Sequence, residues 1–260
     1  MAATSTFLWG LKRSGTHLLV NWLFANHGGT VTDALRSEGL HPKLDDGFTD
    51  PGAQVAFYNN CGRFHCRQLE LGDLQPRDFE QAARRHVAAI FSIEDCALRF
   101  ASRVPHGSDV ANVLVLRDPL NHLASRLEAG KAHPDQFRVD EPFIDVLASY
   151  CTEFLGRSAH LPNKTVVSYN RFIEDRSYRD AIAAELGLTN LDAVSTVSAY
   201  GGGSSFSGLG SPSSTSALMN RFRQHPIPTE ILEMLLDRAE ILEACRTVFG
   251  FDLAERAGVA

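Results

Sequence analysis

Nothing in this 260-residue sequence approaches the ~20 consecutive apolar residues that a membrane-spanning helix needs, so no bilayer span is expected. A basic stretch ahead of an apolar core is lacking too. The chain opens Met1-Ala-Ala-Thr-Ser-Thr-Phe-Leu-Trp9, and its first basic residues, Lys12 and Arg13, come after the short apolar run. That is the wrong order for a secretory signal and points to a cytoplasmic protein. Positive charge is in deficit: 25 Lys and Arg face 31 Asp and Glu, giving a formal charge of −6 and an isoelectric point near 5.9. Such a molecule is repelled by phosphate backbones and anionic lipid, so nucleic acid is not expected as a partner. Any bound anion must be held by a local cluster of cations and amides working against the global field. Cysteine is sparse and unpatterned. The five, at 61, 66, 96, 151 and 245, are odd in number and include no CxxC pair, which suits neither a disulfide framework nor a zinc site. Cys61, His65 and Cys66 offer ligand types close together, but no fourth partner stands at finger-like spacing. Reduced, partly buried thiols and no metal are the expectation.

The patterning that is present alternates between two periods. Residues 6–9 form a short β-prone run, then a glycine turn, then the apolar stretch 18–24 closing at Asn26-His-Gly-Gly29, which reads as strand, turn, buried helix and C-cap. Further compact β-rich runs stand at 54–58, 86–93, 111–116 and 165–169. Helical spacing is clearest at 121–127, 143–155 and 178–186, the last closed by Gly187, and again as one amphipathic helix over 228–248. Strands separated by helices predict parallel pairing with right-handed crossovers. The expected fold is therefore α/β: a three-layer sandwich with a central, mostly parallel sheet, carrying its ligand at the strands' carboxyl ends. Residues 201–216 hold five Gly and seven Ser in sixteen, the composition of a flexible linker. The stretch of chain beyond residue 216 is too short for a second domain, so the Gly/Ser segment is read as a loop within one domain spanning 1–260. No internal repeat is visible.

Gly10-Leu-Lys-Arg-Ser-Gly15 has the Gly-x4-Gly frame of a phosphate-binding loop, in which backbone N–H groups and a helix N-terminus face an anion. In the loop that binds nucleoside triphosphates, Lys and Ser/Thr come next, to reach the β/γ-phosphates and ligate magnesium. Here Thr16 and His17 stand there. The cradle is kept while the metal anchor is lost, and positive charge sits earlier, at Arg13 beside Lys12. A second constellation adjoins the buried strand 111–116: Arg117 at its carboxyl end and Ser125 two turns into the next helix, a guanidinium fork and a hydroxyl able to share a second phosphate.

Arg13-Ser14-Gly15-Thr16 after the first strand, with Arg117 and Ser125 eight positions apart about a hundred residues on, resembles the sulfotransferases that use 3′-phosphoadenosine 5′-phosphosulfate. The resemblance runs from about residue 5 to 190 and thinly to 225. It implies a P-loop-like sulfotransferase fold and transfer of a sulfuryl group to a hydroxyl or amine of a small-molecule or carbohydrate acceptor. That donor would be the co-substrate, with no metal. By the same resemblance Arg13 is the catalytic cation at the leaving phosphate, and Ser14, Gly15, Thr16 and His17 form the 5′-phosphate cradle. Arg117 and Ser125 take the 3′-phosphate, and Tyr169 the adenine edge or else a place in the core.

For the acceptor's proton the family uses His or Glu just past a central strand, and the run 86–93 ends in Glu94-Asp95. Glu94 is the first choice for the base and Asp95 the second; a helix cap over 96–103 is the structural alternative. His17 and His65 are the histidine alternatives. The family's Arg-Lys-Gly closing run is absent. The segment around Ser205, with Arg221 and Arg223 beyond it, either replaces that run or is an ordinary loop with surface arginines. Loops near 33–53, 60–80 and 128–142 are expected to shape the acceptor pocket, whose identity the sequence leaves open, as it does the oligomeric state. Two rival readings stand: a small P-loop kinase, and a nucleotide-binding protein on the same fold without turnover.

Overall fold

A computed structural model describes residues 5–28, 48–50, 55–59, 76–84, 86–192, 194 and 219–259. The first strand, β1 (Ser5–Gly10), is buried on both faces and runs through the middle of a six-stranded sheet. β4 (Ala88–Glu94) lies parallel on one side of it, and β5 (Val110–Leu116) lies parallel on the other. β3 (Val55–Asn59) extends the sheet beyond β4, and β6 (Lys164–Ser168) extends it beyond β5, both parallel. The short β2 (Phe48–Asp50), which the sequence pattern did not reveal, closes the β3 edge in antiparallel pairing. The order β2-β3-β4-β1-β5-β6 sets the carboxyl ends of β4, β1 and β5 side by side, where chain directions diverge from the central strand.

Strand alternation divides the core between the sheet's two faces. Phe7 and Trp9 point to one side with Phe91, Leu114 and Leu116, packing against α2 (Pro76–Ala83), α4 (Glu141–Phe154), α7 (Thr229–Leu236) and α8 (Ala239–Val248). Between β5 and α4 runs α3 (Pro119–Ala132), and α9 (Leu253–Ala257) ends the described chain. Leu8, Ile90 and Val113 point to the other side, toward α1 (Thr16–Asn26), α5 (Tyr169–Glu174) and α6 (Arg176–Glu185). An aromatic ladder crosses three strands: Phe7 stacks on Phe91 at 4.8 Å and Phe91 on Tyr58 at 5.0 Å, with Phe79 of α2 edge-on to both phenylalanines. Each such pair contributes about 0.5–1.5 kcal/mol beyond area burial. Trp9 donates its indole N–H to Asn112 on the first face. Trp22, on the second, sits edge-on to Phe172 and donates to Asn190.

The helix expected over 228–248 is two helices. The chain extends at Arg238 (φ −114°, ψ 102°), whose guanidinium donates to Asp145 of α4 at 2.8 and 3.0 Å. That anchor re-aims α8, so Ile241 and Cys245 are fully buried. Cys96, Cys151 and Cys245 are buried and in no disulfide, while Cys61 and Cys66 fall outside the described residues. Among the described residues no helix is long and apolar enough to cross a membrane, and no group of metal-ligating side chains is found.

Glu153, at the end of α4, organises the turn into β6. Its carboxylate accepts from Lys164 Nζ, the Ser158 hydroxyl and the backbone N–H groups of His160 and Leu161. Burial pushes its pKa up, but these donors outweigh burial and hold it at about 2, below the ordinary 4.5. A depressed carboxylate stabilises the fold above its unfolded pKa and loses that contribution as pH falls through the folded one. Glu153→Gln is expected to lower the unfolding free energy at neutral pH by roughly 2–3 kcal/mol. The gap to wild type should narrow as pH falls from about 4.5 to about 2. Denaturant unfolding across that range checks this; a gap constant with pH would show that the charge itself contributes nothing.

Candidate active site

β1 ends at Gly10, whose carbonyl accepts from the Asp95 N–H at 3.0 Å, so the exits of β1 and β4 are stitched together. A tight turn, Ser14 N–H to Leu11 O, then leads into α1. Two glycines are sterically required here. A Cβ on Gly10 would lie 2.6 Å from the Thr16 side chain, and one on Gly15 would lie 2.0 Å from the Tyr169 ring. Gly15 also has φ 95°, a left-handed conformation that side chains disfavour. Arg13 adopts a left-handed φ of 76° without being glycine, as does Asp95 at 54°; each costs about 1–2 kcal/mol.

Long-range side chains hold the loop in that shape. Asp95 accepts from the Lys12 N–H at 2.9 Å, His122 bonds the Lys12 carbonyl through Nε2 at 2.9 Å, and Arg117 Nη1 donates to the Arg13 carbonyl at 3.0 Å. Burial and the nearby Arg126 charge hold the His122 pKa down at about 3, so its imidazole is neutral and donates Nε2–H to that carbonyl. Both Asp95 oxygens also accept from Arg126 Nη1 at 3.0 Å, and both side chains of this pair are 0% exposed. The Arg126 guanidinium lies 3.9 Å from the centre of the Phe143 ring. Asp95 thus serves as an anchor for the loop and for Arg126. No side chain caps the 3-10 turn Leu98–Arg103, so neither Asp95 nor Glu94 plays the capping role.

Around this frame three guanidinium groups converge. Arg13 Nε donates to Ser125 Oγ at 3.4 Å, joining the glycine loop to α3. Arg117, 4% exposed, lies over the Tyr169 ring at 5.2 Å. Arg221, 6% exposed, comes from a 3-10 turn, Arg221–Arg223, far along the chain. Burial, followed by the charges of Arg117 and Arg13, pushes the Arg221 pKa down to about 10, against a raising effect from Tyr169. Burial and then Arg117 lower Arg13, with Glu94 and Tyr169 acting the other way. The mutual repulsion of such cations around a glycine loop is relieved when an anion comes between them. The buried Ser14 hydroxyl beside them has no hydrogen-bond partner among the described residues.

Glu94 ends β4 in register with Gly10, pointing to the α1 face, and accepts from the Thr16 hydroxyl. It is buried, within the electrostatic reach of Arg13. Of the sequence-derived candidates, Arg13, Ser14, Gly15, Thr16, Glu94, Asp95, Arg117, Ser125, Tyr169 and Arg221 share this one cluster. His17 sits half-buried in the first turn of α1. Tyr169 is buried in the α1-side core, and its ring forms the wall behind Gly15. Ser205, His65 and the segment 201–216 lie outside the described residues, as do most of the expected acceptor loops. Parts of those loops are regular elements: α2 begins at Pro76, and α3 continues to Ala132. Tyr58, in the β-rich run 54–58, is a core residue bonded to His86 at 2.9 Å.

The supports of this cluster lie outside the motifs that mark it in the sequence. Asp118 caps α3, accepts from Asn121 and also from Asn170 of α5, so three residues pin the chain on either side of Arg117. Asp followed by Pro119 at the helix start was a legible capping signal. No local pattern marks Asn121, Asn170, His122 or Arg126, because each acts on residues distant in sequence.

No family model and no curated protein matches the chain. Among solved structures it is similar to the sulfotransferase domain from the Synechococcus PCC 7002 olefin synthase, at 16% identity and a TM-score of 0.49, with 96% of each chain covered. It is also similar to a sulfotransferase from Alicyclobacillus acidocaldarius, at 15% identity and 0.47, covering 98% of this chain and 99% of that one. A third is retinol dehydratase in complex with androsterone and the inactive cofactor PAP, at 15% identity and 0.39, covering 99% and 79%.

Proposed function

We propose that this chain is a sulfotransferase moving a sulfuryl group from 3′-phosphoadenosine 5′-phosphosulfate to a hydroxyl or amine of a small-molecule or carbohydrate acceptor, with release of adenosine 3′,5′-bisphosphate. The observation that carries the reading is the convergence of Arg13, Arg117 and Arg221 on one glycine loop with a buried carboxylate, Glu94, at its side. Three guanidiniums in repulsion match a ligand with two separate phosphate groups better than a single monoanion. Thr16-His17, standing where a triphosphate loop has Lys and Ser/Thr, argues against a kinase using ATP with magnesium.

On this reading the loop amides and the hydroxyls of Ser14 and Thr16 hold the 5′-phosphate, while Arg117, Ser125 and Arg221 take the 3′-phosphate. Glu94 accepts the acceptor's proton as the acceptor atom bonds to sulfur. The bond from sulfur to the phosphate oxygen breaks with its electron pair leaving on that oxygen, where Arg13 stabilises the charge. Held donor and acceptor supply much of the acceleration through near-attack geometry.

Calorimetric titration of the purified protein tests the donor site. Adenosine 3′,5′-bisphosphate is expected to bind at least ~10-fold more tightly than adenosine 5′-phosphate, since a charge-assisted contact contributes about 1.5–3 kcal/mol. The preference should survive a chelator. Tighter binding of ATP with magnesium would replace this reading with the kinase one, and binding without transfer to any screened acceptor would favour a non-catalytic nucleotide protein.

A further inference from the structure

Arg221 reaches the cluster from a segment about a hundred residues beyond Arg117 and about two hundred beyond Arg13, and a 3-10 turn of three residues cannot fix its own direction. One side chain on α3 holds both flanks of that turn. Asn121, fully buried one turn into α3, donates Nδ2–H to the Met219 carbonyl at 2.6 Å, and its Oδ1 accepts from the Phe222 N–H at 3.3 Å. It grips the backbone just before and just after Arg221 as a strand partner would. Its own placement is set by Asp118, which accepts from the Asn121 backbone and side chain together. Asp118 directly follows Arg117, so the chain that carries Arg117 also dictates where Arg221 stands. The turn also packs: Phe222 lies against the core on the α4 side, with Arg256 over its ring, while Asn220 and Arg223 line an open cavity of about 450 Å³ together with Phe251 and Arg256. Arg256 Nη2 adds one longer bond, 3.3 Å, to the Met219 carbonyl.

We infer that Asn121 is a positioning residue that clamps the Met219–Phe222 backbone to α3 and thereby sets Arg221 into the anion site. Its importance for the 3′-phosphate rests on the function proposed above, but its effect on Arg221 does not.

Two measurements keep these apart. Arginine-directed labelling with phenylglyoxal, read by peptide mass spectrometry, reports on Arg221 without any ligand. In the wild type Arg221 should be protected; in Asn121→Ala it should label at least ~10-fold faster, while the fully buried Arg126 stays protected as proof that the fold is retained. Should Arg126 label as well, Asn121→Ser, which keeps a hydroxyl near Asp118 but is too short to span both flanks, replaces it. Unchanged protection of Arg221 in a folded variant overturns the inference. The second measurement is a cycle of bisphosphate affinities over wild type, Asn121→Ala, Arg221→Ala and the double variant. If Asn121 acts through Arg221, the double variant binds no worse than Arg221→Ala, each single change costing about 10- to 100-fold. Additive losses overturn it. A wild type that does not prefer the bisphosphate sinks the functional reading and leaves the labelling result to decide on Asn121.

Discussion

Asp95→Ala is expected to lower the unfolding free energy by about 3–5 kcal/mol, a larger stability effect than any other single change at the site should have. Asp95 and Arg126 are both completely buried, and the carboxylate receives the Arg126 guanidinium on both oxygens and the Lys12 amide on one. Removing it strands a guanidinium that has no access to water, left against the Phe143 and Phe137 rings and the Arg138 carbonyl. The double variant Asp95→Ala with Arg126→Met should recover a large part of the loss, because the apolar replacement leaves no unpaired charge. Chemical denaturation of the wild type, the two single variants and the double variant measures this directly. A loss below about 1 kcal/mol for Asp95→Ala would mean that the pair is replaceable and that the loop is held by other means.

Arg13→Gly separates chemistry from stability at the site itself. On the proposed function it should reduce sulfuryl transfer about 10²- to 10³-fold, the usual cost of removing one preorganised group that meets developing charge. Transfer would be followed as bisphosphate release with an acceptor found by screening. Stability should stay at or above that of the wild type. Glycine takes the left-handed φ of 76° without the ~1 kcal/mol that a side chain costs there, and one of three mutually repelling guanidiniums is gone. The Ser125 contact that is given up is long, at 3.4 Å. Parallel loss of stability and activity would show that Arg13 is chiefly a packing residue, and the assignment of its charge to the reaction would fall.

Much of the framework could be read from local signals. Compact β-rich runs located five of the six described strands to within two residues, most plainly the central strands β1 and β4, which are buried throughout and so read as continuous runs. β2 escaped because three residues carry too little pattern, and their pairing with β3 is what makes them a strand. The break at Arg238 escaped because apolar spacing continues across it; only the carboxylates of α4 reveal why the chain extends there. At the site, Arg13, Arg117 and Ser125 were legible because each stands at a strand exit or a fixed helical offset from one. Arg221 was a candidate by charge alone, with Arg223 beside it equally eligible. What distinguishes the two is Asn121 and the α3 surface, a tertiary contact that no spacing encodes. The left-handed Arg13 is of the same kind: Asp95, His122 and Arg117 impose its conformation from three other segments.

The two tryptophans give this architecture an optical consequence. They are the only indoles in the chain, and the sheet separates them: Trp9 is buried on the α4 side, bonded to Asn112, and Trp22 on the α1 side, bonded to Asn190. Each layer of the sandwich therefore carries its own fluorophore. Emission from a Trp22→Phe protein reports the layer of α4, α7 and α8, and emission from a Trp9→Phe protein reports the layer of α1, α5 and α6. Whether the two faces of the sheet melt as one cooperative unit can be seen in a fluorimeter by overlaying the two curves.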